Sequence, residues 1–195
     1  MLLHEKMIDS IEYNSKTFNV DFSFNKILSV YELFKDDDFD DLEKINIAYD
    51  ILVKNYKNVD LETKSRVIDA IFKEIQQKKS SSDKKPSFCF VQDANYIFSS
   101  FYKDYGIDLI EFQDKLHFEK FIALFGGLSE KTIIKKIIDI RTKPLPVPNK
   151  HNQGEIVNLQ KLKLIYRLEI EDEEQNEQDE LRKLANSLIA FSETR

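Results

Sequence analysis

Five residues between Asp104 and His117 form the group in this chain best placed to do chemistry. Asp104, Asp108, Glu111 and Asp114 recur at three- and four-residue spacing, and His117 follows three residues later. Carboxylates at that spacing on one helical face could gather a divalent ion, whose bound water would serve a hydrolase or nuclease. Gly106 interrupts the helix between Asp104 and Asp108, however, so the spacing does not stay on one face. Asp108 reads better as a cap or brace for the turn after Gly106. His117, beside two apolar positions, reads as a satisfied core or rim histidine.

Other constellations fail more quickly. The acidic run at 36–41 alternates Asp36, Asp38 and Asp40 as a calcium loop does, but its sixth position is Asp41 and its twelfth Ile47, where Gly and Glu are needed. It reads as a solvated turn that caps the next helix. Glu62-Thr63-Lys64 copies part of a nuclease-type acidic/lysine pair, but at a helix start rather than on a strand. His4, His117 and His151 lack zinc-ligand spacing, and four scattered glycines leave no phosphate-cradling loop. Cys89, between Phe88 and Phe90, reads as a small buried hydrophobe. We therefore expect no catalytic residue, no cofactor and no metal site, and a metal-dependent hydrolase is the least supported of three readings.

The elements that must position any site are clearest over 87–146. Phe90, Val91, Ala94, Ile97, Phe98, Phe101, Tyr102 and Tyr105 recur at three and four residues, which predicts a helix ended by Gly106. Leu116, Phe118, Phe121, Ile122, Leu124 and Phe125 predict a second, stopped by Gly126-Gly127. Ser129 is the expected N-cap of a third helix, carrying Ile133, Ile134, Ile137, Ile138 and Ile140, which Pro144 and Pro146 end. Gln92 and Asp93 stand at the start of the first helix. Asp139 and Arg141 near the end of the third are the expected source of a structural ion pair across the fold.

Upstream, Ser10-Ile11-Glu12-Tyr13 and Thr17-Phe18-Asn19-Val20 alternate around Asn14-Ser15-Lys16, which predicts a hairpin over 10–24 whose second strand extends through Phe22 and Phe24. Ile27, Leu28, Val30, Tyr31 and Phe34 mark a helix. So do Leu42, Ile45, Ala48, Tyr49 and Leu52, and then Val67, Ile68, Ile71, Phe72 and Ile75, entered through Asp60. Residues 76–86 read as a polar linker. Downstream, Ile156, Leu159, Leu162, Ile165, Tyr166 and Leu168 predict one more helix. A carboxylate-rich spacer follows, then an amphipathic run through Leu181, Leu184, Ala185, Leu188 and Ile189. The expected fold is mainly α: a multi-helix bundle with a small N-terminal β-hairpin and a C-terminal helical arm. Residues 1–170 make a single helical domain and 171–195 the spacer and arm.

Composition agrees. Hydrophobic residues are 42% of the 195, enough for a sizeable core, and 15 Phe with no Trp make it a Phe and aliphatic core. A net charge of −6 lacks the basic footprint of a duplex-binding protein, so no nucleic-acid partner is expected. One cysteine fits a reducing cytoplasm. Neither a signal peptide nor a membrane helix is expected, because no window holds the roughly 20 apolar residues a span needs.

The stretch FVQDANYIFSSFYKDYGIDLIE, followed by LHFEKFIALFGGLSEKTIIKKIIDIRTKPLP, resembles a family of tailed-phage proteins named for a fifteenth gene product. The matching elements are Gln92-Asp93-Ala94, the turn from Tyr105 through Leu109, Leu116-His117-Phe118 with Phe121, Leu128, and the exit from Ile140-Arg141 to Leu145-Pro146. The resemblance fades before Ile11 and after Arg167. Such proteins are usually encoded just ahead of the tape-measure protein. The resemblance implies a tail assembly chaperone, non-enzymatic, in the cytoplasm of the host bacterium. Its implied partner is the tape-measure protein, with the tail tube protein as a further candidate and self-association along the client. The alternative is a structural tail component retained in the particle. Phe98, Phe101, Tyr102, Tyr105, Leu184 and Leu188 are the candidate protein-binding residues.

Overall fold

The computed structural model describes residues 6–77 and 87–168, without the side chains of Gln76 and Gln77. Most of the expected linker and the whole C-terminal arm, Leu184 and Leu188 included, lie outside the described residues. The elements run β1 (Ser10–Tyr13), β2 (Lys16–Asn19), α1 (Phe24–Lys35), α2 (Asp41–Leu52), α3 (Leu61–Gln77), α4 (Ala94–Tyr105), α5 (Phe118–Gly126), α6 (Ile133–Thr142) and α7 (Gln153–Ile165). The fold is mainly α with a small antiparallel hairpin. The described chain divides into two compact units, one of residues 6–77 and 113–121, the other of 87–112 and 122–168.

In the first unit, β1 and β2 pair Ile11 with Phe18 and Tyr13 with Lys16. Asn14 and Ser15 join them with φ of 48° and 58°. A two-residue turn with both φ positive matches the right-handed twist of paired strands. The second strand stops at Asn19, short of the expected extension through Phe22 and Phe24. There the backbone changes partners: Lys54 N–H donates to Asn19 O (2.9 Å) and Asp21 N–H to Leu52 O (2.7 Å). Phe118 N–H then donates to Phe22 O (2.7 Å) and Phe24 N–H to Leu116 O (2.9 Å). Phe24 opens α1 instead of ending a strand.

The helix starts follow their caps. Asp40 and Glu43 make a reciprocal capping box at α2, the Asp40 carboxylate accepting from Glu43 N–H (2.8 Å) and Glu43 accepting from Asp40 N–H (3.0 Å). The acidic run thus serves the helix start, as the sequence suggested. Asp60 takes both the N–H and the hydroxyl of Thr63 at 2.8 Å, opening α3. Lys64, the other member of the nuclease-like pair, donates to the Asn46 side chain (2.8 Å) and lies 5.4 Å from the centre of the Tyr49 ring. Ile45, Ala48, Tyr49 and Leu52 of α2 are buried with Val67, Ile68, Ile71, Phe72 and Ile75 of α3. Leu42, expected on that stripe, is instead exposed in the first turn of α2. Phe24 stacks on Phe121 at 4.8 Å, and Tyr31 and Phe34 both meet Phe72 edge-on at 5.6 Å.

Asp21 is buried between these elements. It accepts from the Ser23 hydroxyl and N–H, from Lys26 Nζ (2.7 Å) and from Lys54 Nζ (3.2 Å). Burial alone would raise its pKa, but Lys26, Ser23 and Lys54 together hold it far below the usual carboxylate range.

The second unit contains α4, the last turn of α5, α6 and α7. Phe88 and Phe90 both reach Phe125, at 4.6 and 5.8 Å, and Cys89 between them is buried. α4 begins at Ala94, four residues after the expected start, because residues 90–93 form a turn closed by Asp93 N–H to Cys89 O (2.9 Å). Gly106 ends α4 at φ 65°, its N–H on Tyr102 O (3.0 Å).

The N-cap of α6 is Thr132, not Ser129. Ser129 is committed elsewhere: its N–H (2.7 Å) and hydroxyl (3.2 Å) both go to Asp104. Its carbonyl accepts the Thr132 N–H and hydroxyl, closing a turn. α6 ends at Thr142, just ahead of Pro144.

Candidate functional site

The residues grouped by spacing as a metal site do not converge. Asp104 is held by Ser129. Asp108 accepts from the N–H groups of Ile110 (2.9 Å) and Glu111 (3.3 Å), bracing the turn after Gly106. Asp114 belongs to the first unit, where it exchanges hydrogen bonds with Asn25 (3.0 and 3.1 Å) and pairs with Lys26 at 3.4 Å. His117 stacks on Phe22 at 5.5 Å, accepts the Glu119 N–H at Nδ1 (3.1 Å) and meets Ile8 O through Nε2 (3.1 Å). With Nδ1 as acceptor, Nε2 carries the proton. Among the described residues no cluster of three or more His, Cys, Asp or Glu could hold a metal ion.

The strongest polar feature of the second unit is Arg141. Its two terminal nitrogens grip both carboxylate oxygens of Asp93 (2.6 and 2.8 Å), a fork-on-fork pair at a side chain with no exposure. Nη1 also donates to Ser87 O (3.2 Å) and Nε to Tyr166 O (2.6 Å), while Lys163 Nζ donates to Arg141 O (2.6 Å). One guanidinium therefore ties the start of the unit, the N-terminus of α4, α6 and the end of α7. Asp93 also accepts Cys89 N–H (3.0 Å), so its carboxylate is turned away from the α4 amides and makes no side-chain cap. The ion pair expected near Asp139 and Arg141 is thus Asp93–Arg141.

Held this way, α4 divides its aromatics between inside and outside. Phe101 has no exposure and packs edge-on to Tyr105 at 5.8 Å, so it is core and offers no surface. Tyr105 is half-buried; its hydroxyl donates to Leu124 O (2.9 Å) and sits 3.1 Å from where a Cβ on Gly127 would lie. Burial, then the neighbouring Asp104 charge, pushes the Tyr105 phenol above its ordinary pKa. Phe98 and Tyr102 point outward. Tyr102 is 60% exposed and stacks with half-buried Phe98 at 6.4 Å. Val91 is 55% exposed, seven residues before Phe98. Asn95 and Ser99 beside them are also exposed. An aromatic pair flanked by short side chains is a shallow surface, left open among the described residues, that another helix could lie against.

α7 carries a second such surface that periodicity missed. Leu159 is buried, but Ile165, expected on the same stripe, is 70% exposed, with Leu164 at 72% and Val157 at 49%. The signal was present as a surplus: α7 has more apolar residues than one buried face can use.

The family profile described as Bacteriophage Gp15 protein matches residues 3–168. The chain belongs to that family. The match spans both units and reaches well upstream of the 87–146 stretch that carried the resemblance. No curated protein and no solved structure matches the chain. No helix among the described residues is long and apolar enough to cross a membrane.

Proposed function

We propose that this phage-family protein is a non-enzymatic tail assembly chaperone that binds the tape-measure protein and keeps it soluble while the tail tube assembles. The observation that carries the reading is the family match over 3–168. The outward face of α4 supports it, because Phe98 and Tyr102 leave apolar surface where an amphipathic segment of a long helical client can dock. Covering that surface contributes about 25 cal/mol per Å² before association costs, so a single contact is weak. Copies spaced along one long client gain by multivalency what each contact lacks.

The test is co-expression with the long helical protein encoded next to it, followed by co-purification and light scattering. A soluble complex with many copies per client is the expected result. A client that precipitates while this protein stays soluble and unbound overturns the reading. Phe98→Asp with Tyr102→Asp should abolish co-purification and leave the circular dichroism of the free protein unchanged. A folded variant that still binds removes the α4 face from the mechanism. The same exposed faces would also serve a permanent tail component. Mass spectrometry of purified particles separates the two, since a chaperone is absent or substoichiometric there and a component is present in fixed copy number.

A further inference from the structure

We propose that the proline-rich segment 143–148 of one copy docks on the α4 aromatic pair, Phe98 and Tyr102, of a second copy, so that the free protein associates head to tail. The inference rests on the α4 face being a docking surface, as the tail-assembly reading also holds, but it needs no client.

The segment is a preformed ligand. Pro144, Pro146 and Pro148 alternate with Leu145 and Val147. Each proline fixes its own φ and holds the residue before it extended. Lys143, which opens the segment, has φ −59° and ψ 124°. Those angles are close to a polyproline helix, which makes a turn about every three residues. Leu145 and Pro148 then share one edge, and Pro144 and Val147 the next. All four are exposed, Val147 to 85%, while Pro146 on the third edge is half-buried. Both ends are tied. Lys143 N–H donates to Asp139 O (2.8 Å), and the Asn152 side chain donates to Val147 O (2.9 Å) and accepts the Asn149 N–H (2.7 Å). A ridge already ordered gives up little conformational entropy on docking.

Three observations select a second copy as the partner. The first is chemistry. Polyproline ridges dock on surfaces lined by aromatic rings. Phe98 and Tyr102, stacked at 6.4 Å on the outside of α4, are such a surface, so every copy carries both halves of the contact. The second is charge. Residues 143–152 hold Lys143 and Lys150 and no carboxylate, whereas 104–112, which follow Tyr102, hold Asp104, Asp108 and Glu111 and no base. The C-terminal end of α4 adds the negative end of its dipole. The third is placement. α6 runs antiparallel to α4, because Ile134 N–H donates to the Ser100 hydroxyl (3.3 Å) while Arg141 holds Asp93. The ridge therefore leaves at the N-terminal end of α4. Tyr102 stands nine residues after Asp93, about 13 Å along the axis. Ridge and pair are both exposed in the same chain, so a copy does not cover its own pair. A contact between two different patches is heterologous, and it propagates as a ring or an open chain. Neighbouring copies thus keep the α4 aromatics out of water, and a client competes for the same face.

The test uses the full chain alone. Light scattering at rising concentration should show the mean mass climb past that of one copy. Val147→Asp, which spoils the ridge, and Tyr102→Asp, which spoils the face, should each hold the protein at the mass of a monomer, with far-ultraviolet circular dichroism unchanged. Leu145→Asp is the parallel ridge variant should the first misfold. A mixture of the Val147→Asp and Tyr102→Asp proteins tests the geometry. Each keeps the half that the other lacks, so the mixture should form one-to-one pairs and nothing longer. A wild-type chain that stays monomeric at its highest soluble concentration overturns the proposal. So does association that survives either substitution, or a mixture that fails to pair. Self-association of this kind without any client binding would overturn the tail-assembly reading alone.

Discussion

Arg141 concentrates into one side chain the bonds that elsewhere take several. A lysine at 141 can meet Asp93 as a point charge but cannot also reach Ser87 O and Tyr166 O with fixed fork geometry. Removing one partner leaves the other buried and unpaired, at a cost of about 3–5 kcal/mol. Both Arg141→Met and Asp93→Ala are therefore expected to lower the urea midpoint strongly, and the double variant to lose less than the sum of the two. Asp21 gives a different signature. Its folded pKa is depressed, so its contribution to stability is complete above the ordinary carboxylate pKa of about 4 and drains as pH falls below that. In that window the unfolded chain binds the proton that the folded chain refuses. Asp21→Asn should lower stability at neutral pH by about 1–3 kcal/mol and flatten the acid limb of urea midpoints taken from pH 6 to pH 2. Asp60 and Asp114 are also held low, so some slope will remain. Tyr31, pushed up to about 12 by burial, governs the opposite limb. Stability that is complete below pH 10 should be lost as pH rises towards 12, with Tyr31 among the tyrosines that ionise late in an ultraviolet titration, beside Tyr49 and Tyr105.

At the scale of elements, the hairpin turn can be improved. Ser15 sits at φ 58°, which a serine adopts at a cost and glycine does not. Ser15→Gly should therefore stabilise the protein by about 0.5–1 kcal/mol, read from thermal midpoints, with Asn14 left to hold the turn. Gly106 is the converse: a Cβ there meets nothing within 4 Å, so the loss expected for Gly106→Ala comes from its φ of 65° alone. Positions of this kind were legible in the sequence because local chemistry decides them. Gly106, Pro144, the Asp40 and Asp60 caps and the Asn14-Ser15 turn all need only near neighbours. What was not legible depended on residues far along the chain. Ser129 is a good cap by type, but Asp104, 25 residues away, takes its donors. The second strand should have run on by alternation, but Leu52 and Leu116 claim the backbone from Asp21 to Phe24. Periodicity put Phe101 and Tyr102 on one stripe, and only the neighbours of α4 send one inward and leave the other outside. The clustered carboxylates looked like a site because spacing cannot reveal that each has another partner.

For the molecule as a whole, the path of the chain matters as much as its packing. The first unit is not finished when its helices α1 to α3 are made. Among the described residues its remaining piece is 113–121, whose backbone pairs with Phe22 and Phe24 and whose Phe121 stacks on Phe24. Residues 87–112, which open the second unit, come in between. The second unit in turn waits for Arg141 to reach Ser87 and Asp93, and for Tyr166 O to accept from Arg141. A ribosome making this protein therefore cannot release one finished unit before starting the next. When the last described piece of the first is made, at Phe121, the second is already begun, and its last described contact, at Tyr166, comes some 45 residues later. A protease cutting between α3 and Ser87 would likewise part the chain without yielding a whole unit from the N-terminal fragment.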